Sequence, residues 1–185
     1  MIPSRHMAIL TGQSELEEAP GSRQQATLRL IPEGAAGVKA TLDTMVGLVK
    51  RFKIVPEIRA MAEQIIAHVK QKDYAGEIRA IFEWVRDKIR YTQDVRDIET
   101  LKTPDALLYS FQGDCDDKAL LVATLLESIG YTTRFIAVGF TQPGEFDHVY
   151  AEVRLGTVWI ALETTENMPL GWKPSNVIAS MVRHV

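Results

Sequence analysis

At Gly130 the hydrophobic period of the chain changes. From Val38 up to that point apolar residues recur at three- and four-residue spacing, and beyond it they alternate with polar ones. A helical period puts one apolar stripe on a helix, and a period of two puts one apolar face on a strand, so neither half suits the other element. Helices first, strands second and short links between the strands predict an α+β domain, with a helical N-terminal half packed on a C-terminal antiparallel sheet.

Val38, Leu42, Met45, Val46, Val49 and Phe52 share one face of a first helix. Pro56, suited to a first helical position, opens a second, with Ile58, Met61, Ala62, Ile65, Ile66 and Val69 as its stripe. A third follows Asp73 and carries Tyr74, Ile78, Ile81, Phe82, Val85 and Ile89. Residues 91–104 are expected as a loop, and Thr103-Pro104 starts a short helix through Tyr109. The next helix is apolar on nearly every face from Ala119 to Ile129, which predicts a central, buried position. YTTRFIAVGF, HVYAEVRL and TVWIALET are rich in β-branched and aromatic residues and are expected as strands. Residues 1–37 are expected as an N-terminal arm, partly flexible, with one short strand at ATLRLI; residues 38–185 form the domain.

The 185 residues suffice for one domain with a full core. Net charge is -3 and no block of like charge runs long, which argues against a nucleic-acid or anionic-membrane surface. The apolar stretches are broken well before bilayer length, and the opening MIPSRHMAIL lacks the long apolar run of a signal peptide. A single cysteine forms no internal disulfide, so a reducing, cytoplasmic setting is expected. With no second cysteine and no histidine pair at ligand spacing, neither metal nor other cofactor is expected.

That cysteine, Cys115, sits in QGDCDD, where the central helix begins. Asp114 fits as the N-cap and Asp117 as a first-turn acid, which puts the sulfur at the helix mouth. The unpaired N–H groups and dipole there favour a thiolate, whereas the flanking carboxylates oppose it. A nearby imidazolium would decide the balance. Of the four histidines, His148 starts a strand on the same face as Tyr150, Glu152 and Arg154, a polar face suited to a cleft. If Gly156-Thr157 makes the hairpin turn, Leu155 lies opposite Val158, and Glu163 becomes a diagonal neighbour of His148. A one-residue slip would send Glu163 to the other face.

The runs GDCDDKALLVATLLESIGYTTRFIAVGF, DHVYAEV and WIALETT resemble the core of the transglutaminase-like superfamily, over about residues 75–172. The family pattern is met at Gly113 and Cys115, at His148, Val149, Glu152 and Val153, and at Trp159 and Thr165. It departs at Glu163, where the family carries aspartate. The resemblance implies a papain-like fold and a cysteine–histidine–acid triad of Cys115, His148 and Glu163. It also implies attack on an amide carbonyl through a thioester, with water favoured over an amine as acceptor and a peptide or protein as substrate. Besides the Cys115 N–H, Gln112 and Tyr91 are candidates for the second oxyanion donor; Trp172 and Tyr150 are candidate cleft residues. The competing expectation is an inactive binding or assembly module of the same fold, one that could belong to a phage particle and have a protein assembly partner.

Overall fold

The structure, a computed structural model, describes residues 4–11, 25–93 and 98–185. Five helices fall where the sequence places them: α1 (Gly34–Phe52), α2 (Pro56–Ile66), α3 (Tyr74–Lys88), α4 (Pro104–Ser110) and α5 (Cys115–Ser128). Their starts follow from local chemistry. Pro56 and Pro104 occupy first helical positions, where the missing N–H costs nothing. Asp73 caps α3 by accepting from the Gly76 N–H (2.9 Å). The stripes of α1, α2 and α3 bury Leu42, Met45, Val49, Ile58, Ala62, Ile65, Ile78, Ile81, Phe82 and Val85. Helix α5 packs against all four other helices and is buried on nearly every face, which is why it shows no stripe of its own.

Nine strands complete the described residues: β1 (Ser4–Thr11), β2 (Gln25–Pro32), β3 (Arg90–Tyr91), β4 (Ile98–Lys102), β5 (Gln112–Gly113), β6 (Thr132–Gly139), β7 (His148–Leu155), β8 (Val158–Leu162) and β9 (Ala179–His184). The main sheet is antiparallel in the order β8-β7-β6-β9. Leu155 lies opposite Val158, the register expected from a turn at Gly156-Thr157, and Gly156 takes the positive φ (61°) this turn requires. Val149, Ala151 and Val153 face the helices, and α5 lies directly on β7.

The stretch 91–104 is not a plain loop. Tyr91 ends β3, which pairs in parallel with β5, and β4 pairs in parallel with β1. These contacts join segments distant in sequence, so no local period announces them. Strand β2 covers ATLRLI, and β1 pairs along its whole length; residues 12–24 lie outside the described residues. Strand β9, in a segment without clean alternation, pairs with β6.

The far side of the sheet also differs from expectation. Instead of an open polar face, Ile136, Val138, Tyr150 and Ala161 form a second apolar cluster. Beside it Glu152 is buried, accepting from Arg134 Nε (2.7 Å) and Lys173 Nζ (2.7 Å), and the Arg134 guanidinium lies 4.1 Å from the Trp159 ring centroid. A buried carboxylate has to be paired, and two cations achieve it here. The segment after β8 returns to the sheet through Lys173 and through the Gly171 N–H bond to the Ala161 carbonyl (3.0 Å).

Candidate active site

Cys115 is the first residue of α5. Asp114 caps the helix by accepting from the Asp117 N–H (3.3 Å), as the GDCDD pattern predicts. The glycine before it is fixed by space. A Cβ at Gly113 would lie 2.6 Å from Asp117 Cβ, 2.7 Å from Asp117 Oδ2 and 2.8 Å from Leu107 Cδ1. Gly113→Ala is therefore expected to destabilise the fold by about 1–3 kcal/mol, read from the denaturation midpoint. An unchanged midpoint would show that Asp117 moves away freely.

Asp117 is itself fully buried. Its Oδ1 accepts from the Lys102 N–H (2.7 Å) and its Oδ2 from Lys102 Nζ (2.7 Å). Burial and the Asp114 charge push its carboxyl up to about 7, against the lowering pull of Lys102. The bonds to Lys102 tie α5 to β4, so the acidity around Cys115 has a structural share: Asp114 caps and Asp117 anchors.

The third acid, Asp116, touches the thiol. Cys115 Sγ lies 3.7 Å from Asp116 Oδ1, with the thiol as donor. The sulfur accepts from the N–H groups of Val149 and Asp116. Pairing of β8 with β7 stops at Ala151–Leu162, so the β7 backbone at Val149 has no β8 partner, and its N–H goes to sulfur. Partial burial, then the charges of Asp116 and Asp114, push the thiol well above its ordinary value; the two N–H bonds oppose this and do not prevail. Against the expectation of a preformed thiolate–imidazolium pair, no hydrogen bond links the thiol to the imidazole among the described residues. The thiol donates to the Asp116 carboxylate instead.

His148, next to Val149, starts β7. Its Nε2 lies 2.5 Å from Glu163 Oε2, and Glu163 Oε1 accepts from the Thr165 N–H (2.8 Å). Both oxygens of a carboxylate only 1% exposed are thus engaged. The diagonal placement from the hairpin register becomes a direct contact because Glu163 follows the last residue of β8 and its longer side chain spans the gap. Nδ1 has no hydrogen-bond partner among the described residues, and the sulfur is held by the neighbouring backbone N–H.

Of the cleft candidates, Tyr150 is buried with its ring 6.4 Å from that of His148, nearly parallel. Burial, then the charges of Glu152 and Glu163, push its phenol up to about 12. Trp172 is half-buried in a turn closed by its N–H on the Pro169 carbonyl (3.1 Å). Gln112 and Tyr91 lie on the β5–β3 pair that leads into Cys115, with Tyr91 opposite Gly113, and both are exposed.

Sequence reasoning missed Lys118. It is one turn beyond Cys115 and 2% exposed, and its Nζ donates to the carbonyls of Arg86 (3.1 Å) and Ile89 (2.9 Å). Burial lowers its ammonium to about 8; the charges of Glu163 and Asp87 act against this and that of Arg86 adds to it. The available signal was a lysine in a helix with no polar face.

No curated protein matches the chain by sequence. Among solved structures it is similar to a protein from Cytophaga hutchinsonii provisionally named a cysteine protease, at 16% identity and TM-score 0.52, covering 75% of this chain and 47% of that one. It is also similar to one from Parabacteroides distasonis provisionally named a protease, at 14% identity and TM-score 0.56, covering 91% of this chain and 38% of that one. The chain thus spans less than half the length of either, and at these identities the likeness is one of fold. The model of the transglutaminase-like superfamily matches residues 59–164, more than half of the sequence and the whole stretch from Cys115 to Glu163. On that match the chain belongs to the transglutaminase-like superfamily.

Proposed function

We propose that the chain is a cysteine-dependent hydrolase of amide or peptide bonds, with Cys115 as nucleophile, His148 as general base and acid, and Glu163 as the group that holds the imidazole. One observation carries this reading: Glu163 binds Nε2 of His148 at 2.5 Å, which leaves Nδ1 for the sulfur held by the next backbone N–H.

With Glu163 as an anionic acceptor, the proton of the neutral ring sits on Nε2 and the lone pair on Nδ1. The thiol reaches Nδ1 by turning away from Asp116, a change of side-chain rotamer open to the free protein. The thiol proton then passes to Nδ1 as sulfur bonds to the carbonyl carbon, and Glu163 balances the charge on the ring. The oxyanion meets the Cys115 N–H, one of the four that a helix cannot satisfy internally. Gln112 and Tyr91 flank the same point and are the second donors to test. His148 gives its proton to the departing amine nitrogen as the C–N bond breaks, leaving a thioester. Water attacks the thioester, His148 takes its proton, and the carboxylic acid leaves as sulfur recovers a proton.

The acidic surroundings of the thiol favour the second reading, an inactive module that keeps the fold for binding or assembly, in a phage particle or elsewhere. The two separate in a screen of peptide and amine substrates with trapping of the acyl-enzyme by mass spectrometry. Hydrolysis with a thioester on Cys115 supports the enzyme, aminolysis in preference to hydrolysis makes it a transamidase, and no adduct with any peptide supports the module. No helix among the described residues is long and apolar enough to cross a membrane.

A further inference from the structure

Strand β7 fixes the Cβ of His148, and Glu163 fixes its Nε2. Nε2 lies close to the axis of the Cβ–Cγ bond, so a contact there resists rotation about that bond only weakly, and the wells of such a torsion are broad. Nδ1 lies further off the axis, and rotation decides whether its lone pair meets the sulfur. A further contact has to stop the ring from turning. His148 and Tyr150 share one face of β7, and on that face Val138 of β6 lies directly opposite His148. The Tyr150 ring is inclined only 23° to the imidazole with the centroids 6.4 Å apart, within the range of an offset stack. Tyr150 is itself held in place: it is 5% exposed and packs with Ile136, Val138 and Ala161. Filling that cluster explains its burial, and a leucine would fill it too; a flat ring set nearly parallel to the imidazole is a separate property.

We propose, resting on the reading of Cys115, His148 and Glu163 above, that Tyr150 is a positioning residue of the reaction, the face of its ring limiting rotation of the imidazole so that Nδ1 stays aimed at the sulfur. Glu163 then decides where the ring proton sits, and Tyr150 decides where the lone pair points. The role belongs to the ring face and not to the hydroxyl. Tyr150 acts through His148, without touching substrate.

The test uses iodoacetamide on Cys115 at neutral pH, together with the 15N shifts and relaxation of the His148 ring, assigned by their absence in His148→Ala. Tyr150→Phe keeps the face and should alkylate within about twofold of wild type. Tyr150→Leu keeps apolar volume in the cluster and removes the face. It is expected to retain the Nε2–H tautomer, to make the ring more mobile and to slow alkylation about tenfold. In a His148→Ala background, Tyr150→Leu should change the rate by less than about twofold, because the ring it positions is gone. A folded Tyr150→Leu protein with the wild-type rate and ring mobility would overturn the proposal, as would a full further loss in the His148→Ala background. A tenfold loss in Tyr150→Phe would assign the effect to the hydroxyl and overturn it equally. If Tyr150→Leu does not fold, Tyr150→Met, whose flexible side chain fills irregular space, carries the same expectation and the same refutation. If wild type and His148→Ala alkylate alike, the triad reading itself has failed, an outcome distinct from failure at Tyr150 alone.

Discussion

Cys115→Ala is expected to abolish turnover of any peptide substrate of the wild-type protein while the fold is retained. A nucleophile has no substitute within the site, and its loss removes the thioester route altogether, a decrease on the order of 10⁴-fold or more in kcat. The fold is expected to survive loss of the sulfur. The cap of α5 belongs to Asp114 and its anchor to Asp117 and Lys102, and neither involves the thiol. Removal of the thiol relieves its contact with Asp116 but takes the acceptor from the Val149 N–H, so the melting temperature is expected to change by no more than a few degrees. Residual turnover within about tenfold of wild type would assign the chemistry to another group.

The second large effect is at Glu163. Glu163→Gln is nearly isosteric but neutral. Its amide oxygen would keep the Thr165 N–H, so its NH2 would face Nε2 and force that nitrogen to accept. The ring proton then lies on Nδ1, and the base is lost although every side chain is in place. A wrong tautomer of this kind lowers kcat by about 10⁴ with KM little changed. Glu163→Asp restores the family residue but withdraws the carboxylate by one methylene from a contact now at 2.5 Å, so a smaller loss with retained pH dependence is expected. Steady-state kinetics of both variants check this; Glu163→Gln within about tenfold of wild type would remove Glu163 from the mechanism.

Much of this arrangement was legible in the sequence because it rests on local rules. Asp114 before an apolar run marks a helix start, Gly156-Thr157 marks a tight turn, and the turn fixes which residues of β7 and β8 oppose one another. Glu163 could be paired with His148 from that register alone. What stayed hidden depends on long-range partners. Strand β4 exists because β1 lies beside it, and β9 because β6 has a free edge. Tyr150 and Glu152 alternate like solvent-facing residues and are buried because the chain after Glu163 covers them. Lys118 looked like one polar residue on an apolar helix, and only the end of α3 explains its burial.

The pairing of sulfur and imidazole is tested most directly by the rate of iodoacetamide alkylation of Cys115 between pH 5 and 10, in wild type and in His148→Ala. The sign follows from the surroundings of the thiol. Burial, Asp116 and Asp114 raise its pKa, so alone it forms thiolate only in the alkaline range. If His148 takes the thiol proton, as proposed, a reactive ion pair forms at neutral pH. Wild type is expected to show a neutral plateau at least about tenfold above the variant, with the two profiles converging in alkali. Superimposable profiles would mean that the imidazole does not activate the sulfur, and the chain would then be a module that retains the fold without its chemistry.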